Sequence, residues 1–209
     1  MDDDRVTKDR SDFLRAGIAL FNDGYYLAAH EPWEESWLTD PRGDRDECLQ
    51  GLVQAAGAIH HALSDNPDGA RGLSGSAPGY LEDCDESHVP VTDLRAWLER
   101  LHANPELVLH DDPPRLAFEG GTPNLSDLQF PAAGIAAEAL AETQGDDQLE
   151  NAVEYAEHDL AEGRSSSPFA SLVLDFLAGG GPLVRTRLEQ HVDRRRSKDE
   201  DVAGLFESE

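Results

Sequence analysis

An all-α fold is what this chain predicts: a multi-helix bundle around an antiparallel helical hairpin, with a C-terminal helical extension. Three observations carry it. Apolar residues recur at spacings of three and four along most of the 209 residues, period-two alternation is scarce, and Gly and Pro are scattered as punctuation. The spacing predicts helices over 6–22, 25–38, 45–64, 67–83, 92–103, 132–143, 147–163, 167–178 and 182–195. Asn22-Asp23-Gly24 closes the first, and Thr92 or Asp93 can cap the fifth. Gly179-Gly180-Gly181 stops the eighth, and Pro182 starts the ninth at a first-turn position.

Between the fifth and sixth helices the pattern breaks. Pro105, Pro113, Pro114, Pro123, Pro131 and Gly120-Gly121 mark a long connection, with a short hairpin expected between 116–118 and 125–128. The expected organisation is a helical domain at 1–103, a Pro/Gly-rich connection at 104–131, a C-terminal helical subdomain at 132–196 and a charged, fraying tail at 197–209.

Hydrophobic residues at 39% suit a globular core. No apolar run approaches the roughly 20 residues that span a bilayer, so no membrane partner is expected. Met1-Asp2-Asp3-Asp4-Arg5 offers no apolar signal region, and a soluble, cytoplasmic chain is the expectation.

The charge is unusual. Forty-three acidic residues face 17 basic ones, for a net charge of -26, and only Lys8 and Lys198 are lysines. Such self-repulsion destabilises a compact state, whereas at 1 M salt the Debye length shrinks to about 3 Å. The composition resembles that of cytosolic proteins from salt-in halophilic archaea. A polyanion mimic or an acidic tail for basic partners is the competing reading, but the acids are spread along the chain rather than blocked. Nucleic acid is excluded as a partner, since its phosphates would be repelled. The one basic cluster, Arg194-Arg195-Arg196 with Arg185 and Arg187, reads as serving a helix end or an acidic neighbour. Cys48 and Cys84 lack metal-type spacing and, in a reducing compartment, read as two unrelated core residues rather than a disulfide.

The chemistry-bearing residues fall on two helices. At 100° per residue, Tyr26, His30, Trp33, Glu34 and Trp37 share an arc of about 100°, and two tryptophans mark it as the buried face. His30 and Glu34 then meet at i,i+4, with Glu31 at the edge and Ala28, Pro32 and Glu35 outward. Pro32 kinks or begins this helix. On 45–64, Leu49, Leu52, Val53, Ala56, Ile59 and Leu63 form an apolar side, with His60 at its edge. Opposite lie Gln50, Gln54, Gly57 and His61, flanked by Gly51 and Ala58, and the expected partner of this polar side is the His30/Glu34 face.

Buried polar groups need partners, and two solutions stay open. His30, Glu34, Gln54 and His61 form a closed hydrogen-bond network that fixes helix register, or His30, Glu34 and His61 bind a divalent metal with water in the open position. Zinc, iron or manganese suits such a set. His30-Glu31-x-x-Glu34 lacks the second histidine of the zincin pattern, and neither His30 nor His61 has glutamate three residues before it, as di-iron carboxylate sites require. Glu154 and His158, also i,i+4, read as an exposed ion pair.

Phe21-Asn22-x-Gly24-x-Tyr26-x-x-x-His30-Glu31-x-Trp33-Glu34-x-x-Trp37, followed by Gln50-Gly51-Leu52-Val53-Gln54, His61, Asn66 and Gly69-Ala70, resembles the family catalogued as domain of unknown function 309. That family is a small α-helical domain of bacteria and archaea without an established activity. The resemblance covers about residues 13–75 and implies that Asn22, His30, Glu31, Glu34, Gln54 and His61 occupy its characteristic polar positions. Pro32 departs from the family's usual apolar residue, and Asp65 from its usual glycine. Two functions follow as expectations. One is a binding or scaffold domain whose ligand, a protein or a small molecule, sits beside Trp33 and Trp37. The other is a metal-dependent hydrolase-like enzyme with His30, Glu34 and His61 as ligands and Glu31 as general base.

Overall fold

The computed structural model describes residues 8–41 and 45–206. Among these are nine α-helices and no strand: α1 (Arg10–Asn22), α2 (Tyr26–Thr39), α3 (Glu47–Leu63), α4 (Pro67–Tyr80), α5 (Thr92–Ala103), α6 (Ala132–Gln144), α7 (Asp147–Ala161), α8 (Pro168–Leu177) and α9 (Pro182–Phe206). The all-α bundle expected from periodicity is what forms.

Local chemistry explains the helix ends. Asp9 and Asp12 make a reciprocal capping box at the start of α1. Asp46, Asn66, Asp146 and Ser167 cap α3, α4, α7 and α8 by accepting first-turn N–H groups. The α1 turn closes through Gly24 at φ 86°, which glycine adopts without steric cost. One cluster of buried apolar residues runs from α1, α2 and α3 through the alanine-rich α6 into α7 and α8. The many alanines of α6 let it lie close to both α1 and α2.

Several expectations are corrected. The α2 wheel is turned by about one residue, or 100°. Ala28, Ala29, Pro32, Trp33 and Ser36 face the core, while Tyr26, His30, Glu34 and Trp37 sit half-buried at its margin. Trp33 alone sets the buried direction, because Gly17 of α1 opens a slot for its indole. Pro32 neither starts nor ends the helix.

The polar side of α3 faces α4 rather than α2. Leu63 projects into solvent, and a Cβ on Gly57 would strike Leu73 of α4. No hairpin forms at 116–118 and 125–128. A single bridge joins Phe118 to Gly121, and Leu125–Asp127 is a 3-10 turn capped by Asn124. Neither Thr92 nor Asp93 caps α5; its N-cap is Val91, whose N–H donates to Glu86. The residues expected to fray after Arg196 continue α9 to Phe206, supported at i,i+4 by Arg195 and Asp199.

Cys48 and Cys84 form a disulfide across 36 residues, contrary to the expectation of two separate thiols. Cys48 opens α3 and Cys84 ends the 3-10 turn after α4, so folding of the α3–α4 pair is what brings them together.

Candidate metal centre

The two polar stripes read from the sequence have different fates. The α3 stripe is closed by α4. The Ser76 hydroxyl donates to Gln54 Oε1 at 2.5 Å. Asn66 Nδ2 lies 3.1 Å from His61 Nδ1, and Asn66 Oδ1 accepts from the Gly69 N–H. The amide donates, so His61 Nδ1 is an acceptor and its proton sits on Nε2. A Cβ on Gly69 would lie 2.9 Å from the His61 ring, so glycine is what admits the histidine to this corner. Gln50 is half-buried on the same helix.

The α2 stripe is not closed. His30, Glu31 and Glu34 each offer one ligand atom, all within 4.8 Å of one another. His30 Nδ1 stands 3.5 Å from Glu31 Oε1 and 3.7 Å from Glu34 Oε2. It is sealed from solvent and makes no hydrogen bond. The structure therefore brings together His30, Glu34 and Glu31, and it leaves His61 with Asn66. His60, which the sequence placed only at the edge of the apolar side, is the histidine of α3 near His30. Its pKa is lowered by burial first, then by His61 and His30.

Glu31 and Glu34 also line an open cleft of about 360 Å³ with Glu35, Leu38, Thr39 and, from α6, Glu142. Burial raises the Glu35 carboxyl, and Glu138 and Glu142 add to that against the pull of Lys8. Glu142 lies more than a hundred residues from α2, so no local spacing pointed to it. Trp33 is fully buried, its Nε1 directed at the Leu14 carbonyl. Trp37 lies beneath the Arg45 guanidinium, 4.0 Å from the ring centre.

Asn22 has a structural task. Its Nδ2 donates to the carbonyls of Leu116 and Pro123 at 2.9 and 2.8 Å, and its Oδ1 accepts from the Leu116 N–H at 2.7 Å. It thereby holds the 104–131 connection against the end of α1.

Residues 14–73 match the model of the family described as Domain of unknown function (DUF309), which bears out the family resemblance and its N-terminal position. An uncharacterized protein of Aquifex aeolicus (strain VF5) is 26% identical over 110 residues, 52% of this chain and 32% of that protein. The chain thus spans about a third of the length of that curated relative. The fold is all-α, and its segment 14–73 is similar to a domain of unknown function. Among the described residues no helix is long and apolar enough to cross a membrane.

Proposed function

We propose that this is a cation-binding helical domain in which His30, Glu31 and Glu34 hold one divalent metal at the edge of the cleft. The observation that carries the reading is the sealed, unpartnered Nδ1 of His30 between two carboxylates. An unprotonated ring nitrogen so placed directs its lone pair toward negative charge, and either a proton or a metal relieves that. Ligand atoms about 2.1 Å from a tetrahedral metal lie about 3.4 Å apart, close to the two separations here. One imidazole and two carboxylates suit zinc, iron or manganese, and a fourth position would face the cleft. Glu31 then acts as a ligand rather than as a general base.

The scaffold reading keeps the α3 half of the pattern, where Gln54–Ser76 and His61–Asn66 are satisfied structural contacts. A hydrolytic role for the metal is the further alternative, and the acid-walled cleft favours cationic over anionic substrates. The chain-wide acidity supports a setting rich in salt, such as that of a halophilic archaeon.

Elemental analysis of protein purified without a metal-affinity tag in molar KCl tests the metal. Wild type and His61→Ala are expected to carry about one equivalent, and His30→Ala none. His61→Ala should instead lose only about 0.5–1 kcal/mol of stability, because the exposed Asn66 amide can turn to water. Metal-free wild type that stays metal-free after dialysis against zinc or manganese would overturn the metal reading.

A further inference from the structure

A second cavity of about 360 Å³ lies between the start of α6 and the end of α7. Phe130, Pro131, Leu160 and Ala161 give it an apolar lining, and Glu154, Glu157 and His158 project along one side. Cavities of this size accept small organic molecules.

The charges in it are unequally compensated. Glu157 is held by Lys8 at 2.9 Å. His158 pairs with Glu162 at 3.4 Å, one turn on, rather than with Glu154 as its spacing suggested. Among the described residues Glu154 has neither an ion-pair nor a hydrogen-bond partner. Gly134 of α6 fixes how tightly the wall closes: a Cβ there would come 3.0 Å from the Phe130 ring and 3.1 Å from Glu157 Oε1. The cavity therefore joins an aromatic and aliphatic floor to one free carboxylate.

We propose that this cavity binds an organic ammonium ion, an aryl- or alkylamine, with its apolar body on Phe130, Pro131 and Leu160 and its ammonium at Glu154. An anionic ligand meets two carboxylates, and a neutral one leaves Glu154 unused. An ammonium gains a charge-assisted hydrogen bond there, and a face of Phe130 as well.

Phenethylamine is a suitable probe, titrated into the 15N-labelled chain and followed by NMR in KCl. Saturable shifts are expected in 130–134 and 154–161. Glu154→Gln should weaken binding about tenfold. Glu150→Gln makes the same change of charge one turn away, outside this cavity, and should leave binding unaltered. Ala161→Leu, at an exposed position, should fill the space and abolish the shifts. Absence of saturable shifts at about 10 mM, far above a useful affinity, would overturn the assignment. So would equal binding of phenethyl alcohol, or equal weakening by Glu150→Gln, which would reveal only the diffuse field of an acidic protein.

Discussion

Gly17 lacks a side chain because the Trp33 indole occupies the space one would need. A Cβ there would lie 2.2 Å from Nε1 and 2.5 Å from Cε2 of a ring that is itself fully buried. Gly17→Ala should therefore cost about 3 kcal/mol, as overpacked core sites do. Gly72→Ala, on α4 with nothing within 4 Å of its Cβ, should gain about 0.5–1 kcal/mol from helix propensity. Urea unfolding of the two variants checks the contrast, and equal stabilities would contradict the tight slot. Asn22 shows what residue type alone conceals. Its motif position suggested a polar site, yet all three of its side-chain hydrogen bonds go to backbone 94 or more residues away. Chemistry-bearing side chains are legible in a sequence. Whether they serve a ligand or a distant stretch of main chain depends on what folding brings to them.

At the level of elements, helix positions were readable because capping residues and apolar spacing are local. Which helix covers which face is not local, and that is where α2 and α3 departed from expectation. Trp33 and Trp37 together pointed to the wrong arc on α2, since only one of them finds a slot. The polar side of α3 was matched to α2 because a short loop joins them, whereas the small residues of α4 admit it more closely. The disulfide was hidden for the same reason: no spacing rule connects Cys48 to Cys84, and only the α3–α4 packing does. Closing a loop of 36 residues contributes about 3–4 kcal/mol by restricting the unfolded chain. The double variant Cys48→Ser/Cys84→Ser should lose that much, and reductant should lower the wild-type unfolding midpoint while leaving the variant unmoved.

The α7–α9 junction responds to acid. Burial alone would raise the Asp146 carboxyl, but Arg185 and the Leu149 N–H outweigh it and hold the group below the ordinary range. Arg185 Nη2 donates to Asp146 Oδ1 at 2.8 Å, and Nη1 to Oδ2. A carboxyl depressed in the folded state contributes its stability above the unfolded value, about pH 4, and loses it as pH falls through the folded one. Asp146→Asn should cost about 1–2 kcal/mol at pH 7, discounted because Arg185 is a third exposed. Its deficit against wild type should then shrink below about pH 4 in acid unfolding.

Across the whole molecule the net charge of -26 sets the response to salt. The ion pairs, such as Arg10 with Asp40 and Asp46, engage only part of the acidic excess. Screening what remains should raise Tm by roughly 5–10 °C between about 0.1 and 2 M KCl. Sodium chloride should act like potassium chloride, and sucrose should not substitute for either. A Tm independent of salt would mean that repulsion is a minor part of the balance. The cleft beside α2 has a different consequence at this scale. All three proposed metal donors lie inside the segment that matches the family, but the facing Glu142 comes from α6, well outside it. A protein that carried the same three donors in that segment would keep the proposed inner coordination set while supplying its own doorway. Metal preference would then be a shared trait of such proteins, and what reaches the metal an individual one.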